Sequence, residues 1–451
     1  MYLKLLVRFI PSVTQSRLSG TSSSHAAGFV QPERAARPAG SSGPRWSVGR
    51  QERASAAQTG PLHVLRFHPA AGMHAPAAGG STALPVRTWT LKRSSTYFSR
   101  TRQADYRSPT SRNIMNDIKR GIQYIFQTEN NMTIAMSGSG HAAMECAVFN
   151  TVEPGESVLV GVNGIWGERV AEIAERMGAN VHRMVKAPGG YFSNKEIEQA
   201  VEKHKPVLFF LTHGESSAGL CHPVDGIGDI CRKHNCLFLV DTVASLGAAP
   251  IFMDKQNIDI LYTGSQKALN APPGTAPISF NDRACHKMFN RKTKPVSYLF
   301  DMTCLSNYWG CDGQPARLYH HTGPVSGLFA LRESLAIVAE KGLEESWKKH
   351  KEVAAYLYRG LEDLGLKLFI PDMDLRLPSV TTIAIPEGYN WRELLAYIMK
   401  HHQMEMTGGL GPSMGMVMRI GLMGYNCEKT NADMALHALA DALKNCRKSK
   451  A

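Results

Sequence analysis

Lys267 stands in TGSQKALNAPPG, among small residues that leave room around its amine. A primary amine in such surroundings can form an imine with an aldehyde cofactor, and an acid can pair with a protonated pyridine nitrogen. Asp241 is the candidate acid. It ends the apolar run CLFLVD, 26 residues before Lys267, and a carboxylate at the end of a buried strand is costly unless it is paired. SGSGH (137–141) offers small residues ahead of a helix, where backbone N–H groups attract a phosphate. Trp166, in NGIWGER, could provide a flat platform for an aromatic ring. Arg419, in MVMRIGL, is flanked by apolar residues and needs an anionic partner, for which a bidentate substrate carboxylate is one choice. Read one at a time, each residue also admits a plain structural role: a capping acid, a surface lysine, a tight strand–helix turn, a core tryptophan, an internal ion pair.

The elements that must position these residues alternate. MTIAM (132–136), SVLVG (157–161), PVLFFLTH (206–213) and CLFLVDTVAS (236–245) read as strands. The last two are almost continuously apolar, which suits strands covered on both faces. Ile114, Ile118, Ile122 and Ile125 repeat at helical spacing. A helix burying Val170, Ile173, Ala174 and Met177 ends at Gly178, and Ser193 with Glu196 forms a capping box that opens another. Strand–helix alternation of this kind predicts an α/β sheet, mostly parallel. Leu328, Leu331, Leu335 and Val338 mark a long helix. Beyond it, strands over 380–385 and 416–422 and a helix over 429–446 predict a smaller C-terminal α/β domain. The expected division is an N-terminal extension over 1–110, a large domain over 111–340 and a small one over 341–451.

The formal charge of +13 points first to an acidic partner, but it is not spread over the chain. Residues 1–112 carry 16 Lys and Arg against three acids, and the remainder carries 35 of each sign. A nucleic-acid surface is therefore not expected on the folded part. Residues 1–20 hold Lys4, Arg8 and Arg17 and no acid, a composition that matches a mitochondrial transit peptide. Residues 20–110 are rich in Ala, Gly, Ser, Pro and Arg without periodicity, and are expected to be disordered. The C-terminal Lys448-Ser449-Lys450-Ala451 resembles the peroxisomal S-K-L address. No apolar run reaches the ~20 residues of a membrane span. The nine cysteines are scattered without a CxxC pair, and the His320-His321 and His401-His402 pairs lack supporting carboxylates, so neither a disulfide framework nor a metal site is expected.

Strand–SGSGH–helix, NGIWGER, LTHGESSAGL, LVDTVASLG, YTGSQKALNAPPG, YHHTGPV and MRIGL follow one another in an order and spacing that resemble the alanine–glyoxylate (serine–pyruvate) aminotransferase family. That family lies within the fold-type-I class of pyridoxal-phosphate enzymes. The resemblance runs from about residue 113 to near the C-terminus. It implies a large domain with a mostly parallel seven-stranded sheet flanked by helices, plus the small domain. It implies pyridoxal 5'-phosphate held as a Schiff base by Lys267, its ring nitrogen kept protonated by Asp241 and its ring stacked on Trp166. Ser139, Gly140 and His141 would meet the phosphate, Gln266 would add a contact, and Ser216 would sit by the ring substituents. Tyr319 and Thr322 match positions that reach the phosphate from a partner subunit, implying a homodimer with shared sites. Arg419 would grip the carboxylate of the amino acid or 2-oxo acid substrate.

The implied reaction converts glyoxylate to glycine with alanine or serine as donor. The implied location is the peroxisome, the mitochondrial matrix or both. The Gly- and Pro-rich segment that members carry before the first long helix has no counterpart in residues 60–112, and QPARLYHH carries one extra residue. These departures keep an impaired isoform as an alternative. A cysteine desulfurase, with Cys304 or Cys311 as nucleophile, is another.

Overall fold

A computed structural model describes residues 109–446, with side chains from Arg112 onward. The remainder of the basic extension, including the import-type start at 1–20, and the C-terminal Lys448–Ala451 lie outside the described residues.

The chain opens with helix α1 (Pro109–Phe126) and strand β1 (Met132–Ser137), followed by α2 (Gly140–Thr151), β2 (Ser157–Val162), α3 (Ile165–Arg176) and β3 (Asn180–Val185). Helix α4 (Asn194–His204) leads to β4 (Leu208–Thr212) and a short hairpin, β5 (Gly214–Glu215) and β6 (Leu220–Cys221). Then come α5 (Ile227–Lys233), β7 (Leu237–Asp241), β8 (Ile260–Tyr262), β9 (Thr275–Phe280), α6 (Asp282–Phe289), α7 (Met302–Tyr308) and α8 (Val325–Lys341). The last part holds α9 (Leu343–Asp363), β10 (Val380–Ala384), α10 (Trp391–His402), β11 (Thr407–Gly408), β12 (Val417–Gly421) and α11 (Lys429–Asn445).

Seven strands form one sheet in the order β1-β9-β8-β7-β4-β2-β3, and only β9 runs against the others. Every residue of β4 and β7 is buried, as their apolar sequences require of strands covered on both faces. Edge strand β3 alternates partly buried and exposed residues. The isoleucine stripe of α1 is buried and faces α8, where Gly121 permits the close approach. A Cβ at that position would lie 2.8 Å from Cβ of Leu335. An ion pair between Arg332 and Asp117 (2.8 Å) ties the same two helices. The expected capping box is present: Ser193 Oγ accepts from the Glu196 amide, and the Glu196 carboxylate accepts from the Ser193 amide.

Two large apolar cores result, beside a small cluster of Ala244, Leu377, Val380 and Met423. One gathers buried residues from Ile114 to Leu343 around the large sheet, the other residues from Val353 to Ala442 around the three-stranded antiparallel sheet β10-β12-β11. In sequence the transition falls close to Gly342, which joins α8 to α9 with φ of 85°. No described helix is long and apolar enough to cross a membrane, and the described residues hold no group of three His, Cys, Asp or Glu able to hold a metal ion.

Candidate active site

In an open α/β sheet, ligands bind outside the carboxyl ends of the parallel strands. Here β1 ends into SGSGH, β4 into HGES, β7 at Asp241 and β8 into TGSQK, so four separate motifs emerge on one rim of the sheet. They enclose a cavity of about 410 Å³ lined by, among others, Ser139, Gly140, His141, Trp166, Ser216, Asp241, Gln266 and Lys267. Eight residues singled out from sequence therefore share one wall system.

Asp241 is 3% exposed. Its Oδ1 accepts from the Val243 amide and its Oδ2 from the Tyr262 hydroxyl, each at 2.7 Å. Burial pushes its carboxyl up to about 6, while those two donors and the nearby Lys267 charge pull the other way. Among the described residues it has no ion-pair partner, so it is an oriented acid that a cation in the cavity would complete. Lys267 follows β8 on a short turn in which the Asn270 amide donates to the Lys267 carbonyl (2.9 Å). Its amine makes no hydrogen bond among the described residues. Burial, reinforced by the positive charge of Arg419 and opposed by Asp241, brings it down to about 8. A lysine with a depressed pKa keeps a useful fraction of free amine near neutrality.

Ser139 is the N-cap of α2, yet its side chain makes no capping bond, which leaves the first turn uncapped beside the cavity. Gly140 is the first helical residue. A Cβ there would come within 3.0 Å of the Val243 side chain, so the backbone lies close against the β7 turn. Trp166 is half-buried in the first turn of α3. Its indole N–H donates to Ser216 Oγ (3.1 Å), and its ring meets that of His141 edge to face at 5.8 Å. The buried Gln266 Oε1 has no hydrogen-bond partner.

These observations fit pyridoxal phosphate. An uncapped helix N-terminus suits its phosphate, an unpaired acid its ring nitrogen, an indole face its ring and a free amine its aldehyde.

Arg419 is 5% exposed but is not part of the cavity lining. Its partners are carbonyls: Nε donates to Gly408 O (2.7 Å) and one terminal nitrogen to Ser216 O (3.0 Å). It thus reaches the cavity through Ser216. Tyr319 and Thr322 are not brought to Lys267 within this chain. The hydroxyls of the two lie 2.8 Å apart, and both line a second cavity, of about 150 Å³, with residues such as Ile114, Tyr308 and Phe329. Neither Cys304 nor the buried Cys311 lines the Lys267 cavity.

Three residues near the site escaped the sequence reading. Tyr262 closes β8 and orients Asp241. Arg169 lies one turn beyond Trp166 and lines the cavity, where burial and, second to it, the Arg169 charge depress the His141 imidazole. Glu215 precedes Ser216 and is wholly buried. All three stand inside recognisable motifs, Tyr262 in YTGSQKALNAPPG, Arg169 in NGIWGER and Glu215 in HGESS.

Comparison with known proteins places the chain in a family. Residues 81–431 match the class-V aminotransferase family model. An alanine–glyoxylate aminotransferase of Felis catus is 59% identical over 337 residues, covering 75% of this chain and 81% of that protein. One from Drosophila melanogaster is 43% identical over 340 residues, covering 75% and 86%. The crystal structure of an alanine–glyoxylate aminotransferase from Nostoc sp. superposes with a TM-score of 0.72 at 41% identity, covering 74% of this chain and 88% of that one. A cysteine desulfurase from Thermococcus onnurineus shares only the fold, at 14% identity and a TM-score of 0.60, so the desulfurase alternative is not favoured. The chain belongs to the class-V aminotransferase family and is a pyridoxal-phosphate-dependent aminotransferase.

Proposed function

We propose that this enzyme transfers an amino group from L-alanine or L-serine to glyoxylate, giving glycine and pyruvate or hydroxypyruvate. The observation that carries the chemistry is the shared cavity of Lys267, Asp241 and Trp166. The names of relatives at 43–59% identity support the choice of glyoxylate.

When bound, pyridoxal phosphate supplies an aldehyde for the substrate amine and a ring that spreads the negative charge developing at the α-carbon. The chain's residues do the rest. The free amine of Lys267 removes the α-proton and returns it. Asp241, held by Val243 and Tyr262, keeps a proton on the ring nitrogen and so maintains the pull on electrons. Trp166, pinned by its bond to Ser216, fixes one face of the ring. The first turn of α2, with Ser139, Gly140 and His141, receives the phosphate, and Gln266 adds a contact. Arg419 draws the substrate carboxylate toward Ser216. Donor and acceptor occupy the same place in turn, giving two half-reactions. The active form is a homodimer in which Tyr319 and Thr322 serve the phosphate of the partner's site.

The test is spectroscopic. The holoenzyme should lose its visible cofactor band on addition of alanine or of serine and regain it with glyoxylate. Borohydride reduction followed by peptide mapping should tag Lys267. An unmodified position 267, or a band unchanged by both donors, defeats the proposal.

A further inference from the structure

Glu215 is the buried acid that the reaction above leaves unused. It is fully buried on β5, immediately before the cavity-lining Ser216. One carboxylate oxygen accepts from the Ser217 amide (2.9 Å) and the other, weakly, from the Trp166 amide (3.4 Å). The fold makes deliberate room for it. Gly164, the N-cap of α3, faces the carboxyl group so closely that a Cβ there would sit 2.1 Å from the carboxyl carbon. No lysine, arginine or histidine pairs with Glu215 among the described residues, so neutral donors of Ser217 and Trp166 support a buried negative charge. That support is thin for an ion in the interior.

Arg419 is its counterpart. It too is buried without an ion pair among the described residues, its bonds going to two carbonyls, one of them that of Ser216. The two side chains attach to one short segment, 215–217, and the Glu215 charge bears on the Arg419 guanidinium. The groups that bear on Glu215 are Ser217, the Trp166 amide and Asp241 from β7; Arg419 from β12 feels its charge, and Lys267 joins the cluster through Asp241 and Arg419. Two acids and two bases thus share one buried neighbourhood. With Asp241 matched by the protonated ring nitrogen in the holoenzyme, a substrate carboxylate arriving at Arg419 competes with Glu215 for that one cation.

We propose that Glu215 is the proton-linked countercharge of Arg419, taking up a proton as a substrate carboxylate docks and releasing it as the product carboxylate leaves. Glu215 is thereby a positioning residue for the carboxylate site. The inference rests on the reading of Arg419 as the carboxylate grip. Burial, the largest influence on the Glu215 carboxyl, raises it to about 7, so in the free enzyme the proton is already close to exchange at neutral pH. Above that value the free enzyme carries a charged Glu215 and the complex a neutral one. Binding must then consume a proton and weaken as pH rises.

The experiment uses the holoenzyme and propionate, a carboxylate without a reactive amino or oxo group. Binding heats are measured slightly above neutrality in two buffers of different ionisation enthalpy. The wild type should take up a sizeable fraction of one proton per propionate, and Glu215→Gln should bind propionate with that uptake lost. Equal uptake in Glu215→Gln overturns the proposal, because the proton then belongs to another group such as the lysine linkage. Unaltered propionate affinity in Arg419→Gln overturns instead the reading of Arg419. Should Glu215→Gln fail to fold, wild-type propionate affinity serves. It should fall by up to about tenfold per pH unit between about pH 7 and about pH 9, one proton being linked to binding, and a flat profile sinks the idea.

Discussion

Two surfaces of this enzyme handle polarity in opposite ways. Around Lys267 the chain buries polar groups and orients several of them itself: an amide and a tyrosine for Asp241, carbonyls for Arg419, a serine for Trp166. Around Tyr319 it leaves apolar side chains exposed. Tyr298, Leu318 and Tyr319 are each more than half exposed, Tyr298 stacks on His320, and Val325 joins Tyr319 in the smaller cavity. A cluster of exposed apolar and aromatic groups is the mark of an interaction surface. The difference teaches that the residues of the Lys267 cavity come from one chain, whereas the proposed homodimer would give the Tyr319 face its counterpart in a second copy. Substitutions in the two regions must therefore fail differently. Those near Lys267 should act at any protein concentration, and those near Tyr319 should act through assembly.

The largest effect is expected from Lys267→Ala. It should abolish covalent cofactor attachment and lower kcat by about 10³-fold or more, the scale of a lost acid–base group. Absorbance after dialysis and single-turnover rates check this. The same amine sets a pH dependence. Only its neutral form can attack an aldehyde, and it is held near 8 by burial and Arg419. Apoenzyme should take up pyridoxal phosphate about tenfold faster for each pH unit gained below about 8, levelling above it. A pH-independent rate would mean that the lysine is not the attacking group. Asp241→Asn comes next. It keeps the shape but loses the charge facing the ring nitrogen, and kcat should fall about 10²-fold, as when one oriented electrostatic partner is removed. Arg419→Ala removes charge-assisted bonds of about 1.5–3 kcal/mol each. It should raise KM for alanine about 10- to 100-fold with a smaller change in kcat.

Much of this was legible in the sequence. The α1 stripe, the runs of β4 and β7, the capping box at Ser193 and the order of the motifs all carry strong local signals. Three strands of the large sheet do not. β3 is a half-exposed edge, β8 has three residues, and β9 contains Pro277, so none shows the apolar run that betrayed β4 and β7. Asp241 could be read as a cavity acid because it ends a buried strand. Tyr262 could not, because its role depends on β8 lying beside β7, a pairing made across 20 residues of chain. Glu215 was hidden because a buried acid looks, in sequence, like any surface glutamate. What exposes it is Gly164, half a hundred residues away, opening the space it fills. Arg419 was read correctly as a buried cation, but spacing could not reveal that its partners are two carbonyls.

The smallest expected effect, and the one that most sharpens the contrast between the two surfaces, belongs to Tyr319→Phe. Within one chain the Tyr319 hydroxyl meets that of Thr322 at 2.8 Å, beside a cavity separate from that of Lys267. If the hydroxyl acts only in its own chain, Tyr319→Phe removes one exposed hydrogen bond and cofactor affinity should not change. If it reaches the phosphate of a second copy, about 1 kcal/mol of hydrogen bonding is lost, or roughly a fivefold weaker hold on pyridoxal phosphate. The homodimer proposal requires the second result. It also requires that wild-type cofactor affinity fall on dilution below the dimer's dissociation constant, since the completed site then comes apart. Fluorescence titration of pyridoxal phosphate at two protein concentrations, with sedimentation run in parallel, separates the cases. Wild-type affinity that is indifferent to dissociation, together with an unaltered Tyr319→Phe, would leave the Tyr319 face as an interaction surface without a part in the active site.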